Sequence, residues 1–185
     1  MHFDFSDGSA RDATGKPISE LTREFVTTRT LMPNGTGLTG NTAGNQPVVV
    51  GKVPGSATGY YVITNTANGA AGGTVAYSIV DMATFGNATF PTPALGDVDA
   101  LSKNTPIGGL TNRSEAMMVV PHANNRFFWL ITHENGAPNY SVTLFDDSGT
   151  GPINTTTFTT GLIQLAANFS YHPASQRIAV SPQEG

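Results

Sequence analysis

Residues 117–147, MMVVPHANNRFFWLITHENGAPNYSVTLFDD, carry the pattern that decides the fold. Two apolar runs, 117–121 and 126–132, flank an asparagine pair that tolerates the positive φ angles of a tight turn. A second turn, NGAPN, leads into 140–145, where the side chains alternate as they do along a half-buried strand. The stretch therefore predicts three antiparallel strands that form a meander.

The composition favours the same architecture for the whole chain of 185 residues. Its 21 glycines and 12 prolines, with frequent Thr and Asn, interrupt the sequence at short intervals. Such punctuation suits short strands and turns and discourages long helices. We expect an all-β fold in one domain, 1–185, because a domain of this size buries a sufficient core.

Charge and cysteine content exclude several classes of function. Lys and Arg number 9 against 13 Asp and Glu, so the chain lacks the positive surface that nucleic acid requires. The absence of cysteine excludes disulfides, thiolate metal sites and cysteine nucleophiles. No apolar run approaches the roughly 20 residues that span a bilayer, so no membrane span is expected.

An internal repeat extends the meander to the rest of the chain. Tyr61-Val62-Ile63-Thr64 matches Trp129-Leu130-Ile131-Thr132, 68 positions later. Tyr77-Ser78 and Val80-Asp81 match Tyr140-Ser141 and Phe145-Asp146 at offsets of 63 and 65. Repeated meanders of this length are typical of propeller blades. We therefore expect about two to three blades of a partial β-propeller, with a β-sandwich as the alternative.

The repeat divides the domain into three units: 31–100, 101–160 and the start of a third at 161–185, where Phe169 and Arg177 open two further strands. A blade that ends within its meander leaves an unpaired strand edge. We expect either a truncated piece of a longer protein or a homo-oligomer that completes its open sheet edges.

Five segments resemble the propeller-like N-terminal domain of large secreted, cell-surface proteins of Bacteroidetes-type bacteria, of the gliding-motility or secretion-sorted kind. The resemblance covers about residues 32–185, and the motifs of this chain resemble those of that domain in their order as well. It implies a secreted or cell-surface location and supplies no chemistry for named residues. The segments are MPNGTGLTGN at 32–41, VPGSATGYYVIT at 53–64, VAYSIVDM at 75–82, GDV at 96–98 and HANNRFFWLITHE at 122–134.

Histidines in the hairpin invite a metal or catalytic interpretation. If Asn124 and Asn125 form a two-residue turn, His122 faces Phe127 and lies roughly 20 Å from His133 along the strand. The two side chains then cannot share a metal, and local hydrogen bonding is the expected role of both, as it is for His172 in its turn. His133 and the adjacent Glu134 remain the candidate catalytic base of a hydrolase.

Oxygen-rich turns are better candidates for a metal site. Asp146, Asp147 and Ser148 offer carboxylates and a hydroxyl, which are ligands that Ca²⁺ prefers. An Asx-type turn is the commoner meaning of this pattern. No Gly-x-Ser-x-Gly pentad or phosphate-binding loop is present.

The leading functional hypothesis is a non-catalytic, propeller-type interaction or display segment of a secreted bacterial protein. One alternative is a Ca²⁺-dependent hydrolase of lactones or esters, in which the ion polarises a carbonyl and activates a water. A second alternative is a carbohydrate-binding module that stacks sugars on Trp129 and the aromatic residues near it.

Overall fold

The computed structural model describes residues 32–88, 94–148, 151–159 and 167–182. These residues form strands, turns and loops without a helix, which confirms the all-β prediction for this part of the chain. Within the same ranges there is accordingly no helix long and apolar enough to cross a membrane.

The first sheet has five strands, of which the first four lie side by side in chain order. The order is β1-β2-β3-β4, and β5 also pairs with β3, so the sheet extends to Pro106, beyond the boundary expected at 100. The strands are β1 (Val48–Lys52), β2 (Gly59–Asn65), β3 (Val75–Asp81), β4 (Asp97–Val98) and β5 (Thr105–Pro106).

The second sheet has four strands in the order β6-β7-β8-β9, and the third is a two-stranded hairpin, β10-β11. All pairs are antiparallel. The meander predicted from 117–147 forms the body of the second sheet. The strands are β6 (Arg113–Pro121), β7 (Phe128–Glu134), β8 (Asn139–Phe145), β9 (Ile153–Thr159), β10 (Ala167–His172) and β11 (Arg177–Pro182).

The turn between β6 and β7 is longer than predicted, although the register is the one expected. His122 N donates to Phe127 O at 3.0 Å, which confirms that these residues face each other. Asn125 has a φ of 54° and its N–H donates to His122 O. Asn124 Oδ1 accepts the N–H groups of Arg126 and Phe127. This side chain therefore stabilises the longer turn by hydrogen bonds to the backbone two and three residues ahead.

The strand registers confirm one part of the predicted repeat and correct another. Tyr61 pairs with Ile79, and its match in the repeat, Trp129, pairs with Leu144. The two partners, Ile79 and Leu144, are 65 positions apart in the sequence. The offset of 65 predicted for Val80 is confirmed, because Val80 pairs with Tyr60 and Phe145 pairs with Phe128.

The offset of 63 between Tyr77 and Tyr140 is wrong. Tyr77 pairs with Ile63, whose match Ile131 pairs with Val142, so Val142 occupies the position of Tyr77 in the second sheet. The loops before β3 and β8 absorb the difference in length, and the offset stays constant once the strands are paired.

A large apolar cluster lies between the first and second sheets. Phe128 and Phe145 stack at 4.5 Å, and Tyr61 meets Phe145 edge-on at 4.9 Å. Phe128 also lies on the backbone of β1, where a Cβ at Gly51 would come within 2.5 Å of its ring. Packing this close fixes the distance between the sheets. The buried members are Tyr61, Ile63, Val75, Ile107, Leu110, Met117, Phe128, Leu130 and Phe145.

A second cluster lies between the second and third sheets. Its buried members are Ala116, Met118, Val120 and Phe169, and the partly buried Trp129 and Ile131 pack against them. Because the first cluster covers the other face, β6 and β7 of the second sheet are packed on both faces, whereas the side chains of 155–159 in β9 are exposed.

Gln46, just before β1, joins the three sheets at one point. Its Oε1 accepts the N–H of Phe169 at 2.9 Å and that of Met117 at 3.4 Å. Its Nε2 donates to Phe169 O at 3.1 Å. One side chain therefore links the first strands of the second and third sheets to the start of the first.

Candidate functional site

The first residues of β6 form a buried polar segment between the first and second sheets. Arg113 and Glu115 are only 6% and 4% exposed, and Ser114 is fully buried. Arg113 pairs with Glu134 and Met117 pairs with Thr132, so the register of β6 shifts between them and a β-bulge takes Ser114 and Glu115 out of regular pairing. Bulges redirect side chains, and the charged side chain within this one, that of Glu115, is buried.

Arg113 is held by side-chain and backbone partners. Its Nη1 donates to Ser141 Oγ at 2.8 Å and its Nη2 to Gly109 O at 2.9 Å. Its own backbone pairs with Gly73 through two hydrogen bonds of 2.8 Å. Burial lowers the pKa of Arg113, and the nearby charge of Glu134 opposes this effect. The guanidinium therefore anchors the second sheet to the loops of the first.

Glu115 binds N–H groups from two loops of the first sheet. Its Oε2 accepts the backbone N–H and the Nδ2 of Asn45, at 3.1 and 2.5 Å, and its Oε1 accepts Gly69 N at 2.6 Å. Hydrogen bonds to the charged form offset the cost of burying a carboxylate. This arrangement orders loops and leaves the carboxylate enclosed.

His133 and Glu134 are the last two residues of β7, an inner strand of the second sheet. His133 is fully buried, and its ring meets Tyr140 edge-on at 4.8 Å. Glu134 is half-buried and accepts Asn139 Nδ2 at 2.8 Å across the β7–β8 turn. Since neighbours on a strand point to opposite faces, the structure does not bring the two candidate catalytic groups together.

The other two histidines among the described residues make local hydrogen bonds, as predicted. His122 Nδ1 accepts Asn124 N at 3.2 Å, and the ring lies 5.5 Å from that of Trp129. His172 Nδ1 accepts Ser175 N at 3.2 Å in the turn between β10 and β11. Both rings shape turns. Trp129 is half-buried against the second cluster, which leaves only part of its face for a ligand.

The carboxylates of the candidate calcium turn have partners within the chain. Asp146 Oδ1 accepts Ser148 N at 2.9 Å, which forms an Asx turn. This hydrogen bond and one from the Ser148 hydroxyl lower the pKa of Asp146. Asp147 forms an ion pair with Arg126. Among the described residues, no three His, Cys, Asp or Glu side chains gather as metal ligands.

Two residues that organise the first sheet carry no recognisable sequence motif. Asn104, with a φ of 56°, accepts Thr39 N at 2.8 Å and donates to Gly37 O at 2.8 Å. Asp97 accepts both the backbone N–H and the Nδ2 of Asn34. Together they fix the 34–39 loop against the sheet. Asparagine is one of the residue types that adopt a positive φ, which is the signal that could have indicated Asn104.

No protein-family model, curated protein or solved structure matches this chain. The geometry of the sheets and of their buried polar contacts is therefore the basis for assigning a function.

Proposed function

We propose that this chain is a non-catalytic interaction and display segment of the β-propeller type, from a secreted or cell-surface bacterial protein. The observation that carries the proposal is the packing of β6 and β7 in the second sheet on both faces, against the first sheet on one side and the third on the other. A two-sheet β-sandwich covers only one face of each sheet, whereas a blade inside a propeller is covered on both.

The order of the strands supports the same proposal. β6, the first strand of the second sheet, contacts β1 and β10, which are the first strands of the first and third sheets. Tyr61 and Trp129, which match in the repeat, both lie on the face that packs toward the next sheet along the chain. Successive units that present equivalent faces are the hallmark of a repeat architecture.

The use of the acidic side chains supports a non-catalytic role. Glu115 orders two loops, Asp97 holds Asn34, Asp146 forms a turn and Asp147 pairs with Arg126. A general base requires a carboxylate or imidazole within reach of substrate and tuned for proton transfer. These four carboxylates instead stabilise loops, as expected of a scaffold.

The competing hypothesis of a Ca²⁺-dependent hydrolase provides the test. The purified chain is assayed on a panel of lactones and esters, with EDTA and with added Ca²⁺. We expect no turnover above the uncatalysed rate under either condition. Turnover that EDTA abolishes, and that Asp146→Ala removes, would overturn the proposal.

Asp99→Ala is the matched control, because Asp99 Oδ1 accepts Leu101 N in a turn of the same kind on the first sheet. Loss of turnover in Asp146→Ala but not in Asp99→Ala would locate an ion at the 146–148 turn. His133→Ala is compared in the same assay, with circular dichroism to check the fold, since that side chain is fully buried.

A further inference from the structure

The outer edge of the second sheet is formed by β9, a strand of seven residues. It pairs with β8 on one side, and no strand among the described residues pairs with its other side. The side chains of 155–159 are exposed, and Phe158 retains 49% of its accessible surface. A strand at such an edge presents backbone N–H and C=O groups to any chain that can pair with it.

The outer edges of the other two sheets carry features that discourage pairing. In the first sheet the edge is divided between β4 and β5, of two residues each, and β5 contains Pro106. In the third sheet β11 begins with Arg177 and ends with Pro182. Short strands, charges and prolines are the usual protection of an edge. β9, with the sequence INTTTFT, has no charge and no proline, and its ladder with β8 is regular over 155–159, beyond a register shift at Asn154.

The sequence of β9 also suits pairing with a copy of itself. In an antiparallel pair related by a two-fold axis, the residue on the axis lies opposite its own copy, so a charge at that position would repel its copy. A threonine of β9 already forms a cross-strand hydrogen bond with β8, since the hydroxyls of Thr143 and Thr155 lie 2.9 Å apart. An uncharged strand centred on Thr156 meets no repulsion.

We propose that β9 is a self-association edge, at which a second copy of this chain pairs antiparallel through its own β9. The two four-stranded sheets then join into one continuous sheet of eight strands. This inference is independent of the proposed function, because it requires only an outer side of β9 that pairs with no strand of the part of the chain that the structure describes. Pairing of one strand buries less than the roughly 1,200 Å² of a stable interface, so the dimer dissociates on dilution.

The test is sedimentation velocity of the full chain over a series of concentrations. We expect a reversible monomer–dimer equilibrium, and in Thr156→Lys a dissociation constant at least about tenfold higher, because two like charges meet near the axis. Thr42→Lys is the matched control, since it adds the same charge at an exposed loop residue of the first sheet. We expect the control to dimerise as the native chain does.

Two results would overturn the proposal: a chain that stays monomeric at every concentration, or a dimer that Thr156→Lys leaves unchanged. Circular dichroism verifies that each variant is folded. Phe158→Glu is a second variant at the same edge and is expected to weaken the dimer equally. In hydrogen exchange of the native chain, the amides of β9 are expected to gain protection with concentration; exchange that is independent of concentration in the dimer would contradict the edge assignment.

Discussion

At the scale of single residues, the fold depends on close contacts that only particular side chains permit. Gly51 is the clearest example, because three ring atoms of Phe128 lie 2.5–2.9 Å from the position its Cβ would occupy. The sequence predicted Phe128 as part of an apolar run, but nothing in the GK pair that ends β1 indicated that a ring from another sheet covers this glycine. A contact between sheets depends on both partners, and one sequence pattern describes only one of them.

We expect Gly51→Ala to lower the free energy of unfolding by about 1–3 kcal/mol, because an added methyl group forces the Phe128 ring or β1 to move. The measurement is urea unfolding followed by fluorescence. Gly108→Ala is the control, since no atom lies within 4 Å of the Cβ built at Gly108. Equal stability of the two variants would show that Phe128 does not rest on β1.

Tyr61 gives the fold a dependence on alkaline pH. Burial, followed by the charges of Tyr77 and Asp146, raises its pKa above the usual value of 10.0. The unfolded chain therefore loses this proton first, so the stabilisation is complete below about pH 10 and is lost as the pH rises toward the folded pKa.

We expect Tyr61→Phe to lose less stability than the native chain between about pH 9 and pH 12, because it removes the hydroxyl that ionises. Urea unfolding at several pH values is the measurement. Tyr60→Phe, which removes a hydroxyl from the opposite face of β2, is the control. Parallel pH profiles for Tyr61→Phe and the native chain would contradict the assignment.

At the scale of elements, the alternating apolar runs predicted the strands well, and the polar residues between them were harder to interpret. β8 and the pairing of His122 with Phe127 follow from alternation and from register, which are properties of consecutive residues. The start of β6 was missed because RSE is a charged triplet that pattern analysis assigns to a loop. Its burial arises from the bulge and from partners such as Asn45, 70 positions away in the sequence.

In the candidate site, too, contacts between neighbouring residues were predictable and contacts between distant residues were not. Local hydrogen bonding of His122 and the Asx turn at Asp146 were foreseeable, since both involve residues two positions apart. The burial of His133 was not, because the cluster that covers its face includes Phe169, which belongs to another sheet. Sequence separation, more than residue type, determined what could be predicted.

At the scale of the whole molecule, the central claim is that three successive sheets, two meanders and a hairpin, stack face to face and are joined at Gln46. The repeat indicated the units, but it did not indicate the residue that joins them, since Gln46 precedes the first strand and reaches Phe169 from 123 positions away. A side chain that accepts and donates to the same strand acts as a clamp between sheets.

The most direct test of this claim is nuclear Overhauser spectroscopy on the isotope-labelled chain. We expect a cross-peak between the α-protons of Gly51 and the ring of Phe128, which reports the contact of the first two sheets. We also expect one between the side-chain amide of Gln46 and the backbone of Phe169, which reports the third. Both cross-peaks together support the stacked arrangement. Intact strands within each sheet, with both of these cross-peaks absent, would contradict it.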